Sequence, residues 1–403
     1  MITPPWFISK IEFDPKKGRL DVEIDFERGS TFHYESPEEG IAGDFKAYDT
    51  VQKTWRHLNF FQFECYLHAF VPRITTGTGQ TRQVQTPWEG KVPGFTLLME
   101  ALILQLAKNM PVHQVAEALG ITDNRIWRLL HNYVELAREK QDLSGLSHLG
   151  VDETAVLRGH EYVSLFVDLK ERKTVFVTKG KDQTVMETFA KELIRKNGSP
   201  ENIQVVSQDM SPAFRAGVEQ HFPKAKIVYD RFHLMQKVTE AVDIVRRTES
   251  RDNPLLKHSR MALLKNEENL SAKQKAKLEE IKMKDSELKT ARAWRMKNQF
   301  QQIYLTATKE LFVKALKEWI SWVMHSGIVP MKEVAKTIKR HWDGIVSWME
   351  FKVSNGILEG MNSKFQAAKA KARGYRRIET IKTVIYLISG KFDFRLINPA
   401  LPT

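Results

Sequence analysis

The clearest alternation of polar and apolar residues near the start of the chain is Arg19-Leu20-Asp21-Val22-Glu23-Ile24. A second β-like run extends from Phe60 to Phe70, and Ser36-Pro37 and Gly77-Thr78-Gly79 supply turn chemistry. Residues 1–90 therefore read as a small β-rich domain. From Pro93 to Lys140 the period lengthens: Leu97, Leu98, Ala101, Leu102 and Leu104 recur at three- and four-residue spacing, which predicts helix. Residues 149–232 alternate strand and helix patterns. Strands are expected at Leu149–Asp152, Tyr162–Asp168, Thr174–Thr178, Ile203–Ser207 and Lys226–Tyr229, with helices at Thr184–Lys196 and Pro212–His221. Three strands able to form a meander, followed by strand and helix in turn, predict an α/β sheet of mixed direction. Residues 233 to 350 lack strand patterns and are rich in Lys, Glu, Leu and Ala, so they predict long helices, with breaks at Asn253-Pro254 and Gly327–Pro330.

Composition narrows the function classes. The 403 residues carry 62 Lys and Arg against 49 Asp and Glu, a net charge of +13, while 42% are hydrophobic. That is enough apolar material for real cores, so the excess charge is not that of a disordered tail and points to a polyanionic partner. The single cysteine, Cys65, excludes an internal disulfide framework and a zinc site built on paired cysteines. Met1 to Lys10 holds no signal-like apolar run, and no stretch approaches the ~20 apolar residues that span a bilayer. A soluble, intracellular protein with no membrane partner is expected.

Within Pro111 to Tyr133, Ala116, Gly120 and Ile126 have the spacing of a helix-turn-helix, with Thr122 or Asp123 capping the second helix. Asn124, Arg125, Arg128 and His131 would then face DNA, although an ordinary helical hairpin obeys the same packing rules. Asp152 lies in the apolar first strand of the α/β region and Asp209 follows Val205-Val206-Ser207-Gln208. Two carboxylates at the ends of buried strands repel one another unless a cation neutralises them. Oxygen ligands suit two Mg²⁺ or Mn²⁺ ions, the arrangement that drives phosphoryl transfer. The competing reading is that each caps a following loop or helix, Asp209 the helix near Ser211. A third carboxylate, Glu359, shares a helix face with Asn355 and with Asn362 or Ser363. Lys364, Lys369, Lys371, Arg373, Arg376 and Arg377 follow, with Tyr375 among them, and suit a phosphate-binding surface.

Gly150-Val151-Asp152-Glu153, Ser207-Gln208-Asp209-Met210-Ser211-Pro212-Ala213-Phe214, Tyr229-Asp230-Arg231-Phe232-His233, and Asn355 to Glu359 with Ala372-Arg373-Gly374-Tyr375-Arg376 together resemble the catalytic core of bacterial insertion-sequence transposases of the DDE class, in particular the ISL-three family. The resemblance spans roughly residues 93 to 395. It implies a multidomain α/β protein with an RNase H-like mixed sheet as catalytic core, interrupted by an α-helical insertion and preceded by the helix-turn-helix and the β-rich domain. The divisions expected are 1–90 (zinc-ribbon-like without the cysteines), 91–145 for the helix-turn-helix, 146–239 for the first part of the core, 240–350 for the insertion, and 351–403 for the last part of the core. The insertion accounts for most of the 150-residue gap from Asp209 to Glu359. Its tryptophans, Trp294, Trp319, Trp322, Trp342 and Trp348, are expected mainly in helical core. Asp152, Asp209 and Glu359 are implied as catalytic residues and ligands of two metal ions, with no zinc. Asp230, His233 and Asn355 would support them, Asp230 being alternatively a plain N-cap. The implied partner is double-stranded DNA, both terminal inverted repeats and target, bound by a homodimer in the bacterial cytoplasm in association with the nucleoid. A non-catalytic helix-turn-helix regulator, or a nuclease of the same fold without strand transfer, are the alternatives. Relatives usually carry zinc-binding cysteine pairs near the N-terminus, where this chain has Ser36-Pro37-Glu38-Glu39-Gly40 and Pro72-Arg73-Ile74-Thr75-Thr76-Gly77, although Trp55-Arg56-His57-Leu58 still resembles the family.

Overall fold

Alternating residues in the first ninety positions build one six-stranded sheet in the computed structural model. Its strands are β1 (Trp6–Asp14), β2 (Arg19–Phe26), β3 (Thr31–Ser36), β4 (Ile41–Phe60), β5 (Phe63–Thr75) and β6 (Thr81–Gln83). They run in the order β1-β2-β5-β4-β3, with β6 on β5. The structure describes residues 2–77, 79–157, 161–284, 288–352 and 356–401. Thr78 of the expected turn, and Ser354 and Asn355, lie outside them. One face of the sheet is apolar: Val22, Ile24, Trp55, Leu67, Ala69 and Val71 are buried. Trp88 closes this core edge-on against Trp6 and Trp55, with ring centroids 5.1 and 5.7 Å away. Aromatic packing therefore does here what cysteine pairs and zinc would do in a zinc ribbon, and Cys65 is simply buried in the same core.

The helical stretch after Pro93 resolves into three helices, α1 (Leu97–Ala107), α2 (Val112–Leu119) and α3 (Asp123–Glu139). The Thr96 hydroxyl caps α1 by accepting from the Met99 N–H at 3.3 Å. Pro111 sits just before α2, and Gly120 ends it in the left-handed conformation at φ +63°, a backbone state that favours glycine.

The second sheet contains β7 (His148–Leu157), β8 (Glu161–Asp168), β9 (Lys173–Lys179), β10 (Val205–Gln208) and β11 (Lys226–Tyr229), in the order β11-β10-β7-β8-β9. The meander β7-β8-β9 is antiparallel, while β10 runs parallel to both β7 and β11. Helices α4 (Thr184–Arg195) and α5 (Pro212–His221) cover one face through Phe189, Leu193, Phe214 and Val218, packed with Val151, Phe166 and Val206. Among the described residues, seven helices come between β11 and the last two of the chain: α6 (Arg231–Glu249), α7 (Arg260–Leu264), α8 (Ala272–Lys282), α9 (Lys289–Ile303), α10 (Lys309–Met324), α11 (Val329–Arg340) and α12 (Trp342–Phe351). Their core includes Tyr229 of the sheet, so this helical segment is packed onto the β11 edge. Trp294 and Trp319 are buried in that core, and Trp322, Trp342 and Trp348 are partly buried against it. The Trp319 indole N–H donates to the Met296 carbonyl at 2.8 Å.

Two helices complete the chain, α13 (Gly356–Lys371) and α14 (Ile378–Ser389). The chain divides into two compact units, Asp142–Lys364 and Met1–Gln141 with Phe365–Thr403. The expected segments 1–90 and 91–145 thus fold largely as one body, as do 146–239 and 240–350. The expected last part of the core, 351–403, is split inside α13. Among the described residues no helix is long and apolar enough to cross a membrane.

Candidate active site

In the sheet of the Asp142–Lys364 unit, the parallel register pairs Ser207 of β10 with Gly150 of β7. Two residues further along come Asp152, still within β7, and Asp209, the residue just past the end of β10; Gly150 and Asp152 share one face of the sheet because side chains alternate along a strand. Burial pushes the Asp152 carboxyl up to about 6, Asp209 adds to the rise, and the Glu153 N–H and His233 oppose it. That N–H donates to Asp152 Oδ1 at 2.8 Å. Asp209 Oδ1 accepts from the Ser211 N–H at 2.9 Å, so this carboxylate also organises the turn into α5. Burial raises the neighbouring Glu153 carboxyl, and the charge of Lys181 opposes the rise. Asp168 accepts from the Lys170 and Glu171 N–H groups and shapes a turn.

Helix α13 lies across the face that carries Gly150. Leu358 packs with Val167 and Leu169, and a Cβ on Gly150 would stand 3.1 Å from Leu358 Cδ1 and 2.7 Å from Leu169 Cδ2. A side chain at this position would press on both leucines. One turn past Leu358, Asn362 Nδ2 donates to Asp152 Oδ2 at 2.5 Å. Asn362 Oδ1 is buried with no hydrogen-bond partner among the described residues.

Glu359 is exposed on the same helix. Partial burial of its carboxyl and the nearby Asp230 push its pKa up, and His233 pulls it down. His233, in the first turn of α6, thus acts on both Asp152 and Glu359. Asp230 is buried at the N-cap position of α6. A cleft of about 800 Å³ opens here, with Asp230, Arg231, Phe232 and Glu359 in its wall. Among the described residues no group of three or more His, Cys, Asp or Glu side chains is clustered closely enough to hold a metal ion. Asn355 lies outside the described residues.

In the other unit, Ala116 and Ile126 are buried where α2 and α3 cross. Of the four residues expected to face DNA, Asn124 and Arg128 are exposed. Arg125 instead stacks over the Phe95 ring at 4.1 Å and donates to the Gly94 carbonyl at 3.0 Å. His131 Nδ1 lies 2.7 Å from the Thr383 hydroxyl of α14, and burial lowers its pKa. Of the basic run, Lys371, Arg373, Arg376 and Arg377 are exposed and Lys369 is half-buried. These five belong to the helix-turn-helix unit, and Tyr375 meets Trp127 of α3 edge-on at 6.2 Å. Lys364, also exposed, is the last residue of the unit that holds Glu359.

Two family profiles match the chain. One, described as a transposase, covers residues 149–385; the other, described as the helix-turn-helix domain of transposase family ISL3, covers residues 84–134. The chain belongs to the ISL3 transposase family. A transposase for insertion sequence element IS1001 from Bordetella parapertussis is 26% identical over 342 residues, covering 82% of this chain and 83% of its own. A transposase for insertion sequence element IS1557 from Mycobacterium tuberculosis (strain CDC 1551 / Oshkosh) is 26% identical over 353 residues, 80% of this chain and 78% of its own. The resemblance drawn from four short motifs is thus borne out over most of the chain.

Two site features of this ISL3 transposase were not singled out from the sequence. Gly150 had a signal, a glycine inside an apolar strand, which commonly marks close backbone approach. Asn362 had only its position on the Glu359 face, with nothing to say that its partner would be Asp152.

Proposed function

We propose that the chain binds the terminal inverted repeats of an insertion sequence, cleaves the DNA strand there and joins the freed 3′ hydroxyl to target DNA. Asp152, Asp209 and Glu359 are the catalytic carboxylates. The observation that carries this reading is Asp152, held up to about 6 on a central strand, with Asp209 just past the end of the neighbouring parallel strand β10 and acting on its charge. The strand order, three antiparallel strands continued by two parallel ones, supports an RNase H-like core. The strand β7-to-β10 switch point is where an open α/β sheet presents its ligand site.

The donor chemistry fits hard divalent cations. Two repelling carboxylates and the unpartnered Asn362 oxygen supply oxygens only, and a cation there would remove the electrostatic cost seen at Asp152. When bound, a pair of Mg²⁺ or Mn²⁺ ions activates the attacking oxygen and neutralises the leaving one. The chain's own groups orient the carboxylates. The Glu153 N–H and Asn362 fix the two oxygens of Asp152, and the Ser211 N–H fixes Asp209. Glu359 supplies the third carboxylate from α13. His233, between the charges of Asp152 and Glu359, faces the scissile phosphate, with Asp230 behind it.

The exposed Asn124 and Arg128 read the repeat, and Lys364, Lys369, Lys371, Arg373, Arg376 and Arg377 with Tyr375 contact phosphates. Arg125 and His131 act in this reading by positioning α3. Two copies work on one pair of ends in the bacterial cytoplasm, at the nucleoid. Asp209→Ala tests the assignment: metal-dependent nicking and joining of repeat-end DNA should be lost while band-shift binding persists. Unchanged cleavage would refute it.

A further inference from the structure

Strand β1 forms one margin of the N-terminal sheet, and among the described residues it pairs with β2 alone. Sheet margins that remain single are normally short, proline-bearing or bulged. β1 has nine residues, no proline, and a bulge confined to Ile8–Lys10, so Lys10 to Asp14 present a regular free ladder. Its side chains continue both faces of the sheet. Ile11 and Phe13 are paired with Val22 and Leu20 on the apolar face, and Lys10, Glu12 and Asp14 with Glu23, Asp21 and Arg19 on the polar face. Val22 is buried, yet Ile11 beside it is 61% exposed. Among the described residues the apolar layer stops at Ile11 with most of its side chain uncovered.

Charge selects the occupant. An antiparallel partner must keep the apolar face continuous, so a copy of β1 can pair with β1 only about a two-fold axis on a single residue. Centring on Lys10 or on Glu12 places like charges opposite one another, and centring on Phe13 opposes Glu12 to Asp14. Centring on Ile11 opposes Ile11 to its copy and gives two Lys10–Glu12 pairs, one on each side. Opposite charges across a ladder stabilise pairing and like charges oppose it.

We infer that β1 is the seam of a homodimer, paired antiparallel with the β1 of a second copy about a two-fold axis at Ile11. This rests on the two-copy reading of the function and names its surface. Main-chain pairing supplies the affinity, and the Lys10 and Glu12 charges set the register.

The test is sedimentation velocity of the full chain without DNA over a range of concentrations. The wild type should dimerise, Ile11→Lys should stay monomeric with unchanged thermal unfolding, and Lys10→Glu should weaken the dimer about tenfold, or about 1.4 kcal/mol. Adding Glu12→Lys to Lys10→Glu should restore it, because the opposed pair is then reversed rather than repulsive. A monomeric wild type, a dimer indifferent to Ile11→Lys, or a double variant no better than Lys10→Glu overturns the seam. Cleavage of repeat-end DNA, measured on the same variants, distinguishes the two claims: paired-end joining that persists in Ile11→Lys leaves the transposase reading standing and removes only this surface.

Discussion

Replacing Asp152 by Asn should make the protein more stable and catalytically inert at once. The Asp152 carboxyl is held up to about 6 against an ordinary 3.8, chiefly because the folded chain buries it. A folded-state pKa above the unfolded one means that the group's contribution is most favourable below about pH 4 and is lost as pH rises through about 6. Above that, the ionised form opposes folding by about 3 kcal/mol, at 1.36 kcal/mol for each pH unit between the two values. Asparagine removes the charge and keeps the shape. The hydrogen bond from the Glu153 N–H is retained on the amide oxygen. The new amide N–H₂ can donate to Asn362 after a flip of that side chain, which brings its buried and unpartnered Oδ1 into use. With some of the cost relieved by solvent, a gain of about 1–3 kcal/mol is expected at about pH 7.5, shrinking toward zero near pH 4. Urea denaturation in EDTA, followed by tryptophan fluorescence, measures it, since Trp294 and Trp319 are buried in the same unit. Mg²⁺ should stabilise the wild type and leave Asp152→Asn unmoved, while nicking of repeat-end DNA disappears. An Asn variant no more stable than the wild type at neutral pH, or one whose stability keeps the same pH dependence, refutes the reasoning.

Gly150→Val should press on Leu358 and Leu169, costing about 1–3 kcal/mol in denaturation and reducing cleavage while band-shift binding is retained. Arg125→Ala, which loses its stacking on Phe95 and its bond to Gly94, should lower stability by about 1 kcal/mol or more. Arg128→Ala should leave melting unchanged and weaken DNA binding, with the salt slope smaller by about 1; the opposite pattern in the two variants would reverse their assigned roles. Gln208 is fully buried with neither amide atom hydrogen-bonded among the described residues, so Gln208→Met should raise stability by about 1–3 kcal/mol, and a loss of stability would show that the amide is satisfied in solution.

What the sequence made legible was local or periodic. Four strands of the second sheet fall within two residues of their expected bounds because apolar runs bounded by turns leave few alternatives, while β7 runs five residues past its expected end at Asp152 through the polar Glu153 and Thr154. Asp152 and Asp209 stand out because each ends or interrupts such a run. The breaks at Pro111 and Gly120 explain why one helical stretch became three helices. What stayed hidden depends on contacts between residues far apart. Asn362 meets Asp152 across 210 positions, and His131 meets Thr383 across 252. A recognition-helix pattern cannot tell an arginine facing DNA from one stacked on Phe95, since both lie at helix positions that are only partly covered.

The basic run after Glu359 is the most instructive case. In the sequence it forms a single block beside a carboxylate, and a phosphate surface next to the catalytic centre is the direct reading. The division of the chain inside α13 separates it: Lys364 stays with Glu359, while Lys369 to Arg377 fold with the helix-turn-helix, tied there by Tyr375 against Trp127. The chain reverses at Arg373 and Gly374, both at positive φ, which ends α13 and turns the run back toward α14. Most of that charge therefore belongs to the unit that holds the helix-turn-helix, where, in the proposed function, phosphate contacts would raise affinity for any sequence and fix the register of α3. Around Glu359 the cations belong to its own unit: Arg231, Arg247, Arg260 and Lys297 line the cleft with it and Lys364 follows five residues on, so the charge beside that carboxylate comes from the helices after β11 rather than from Lys369 to Arg377.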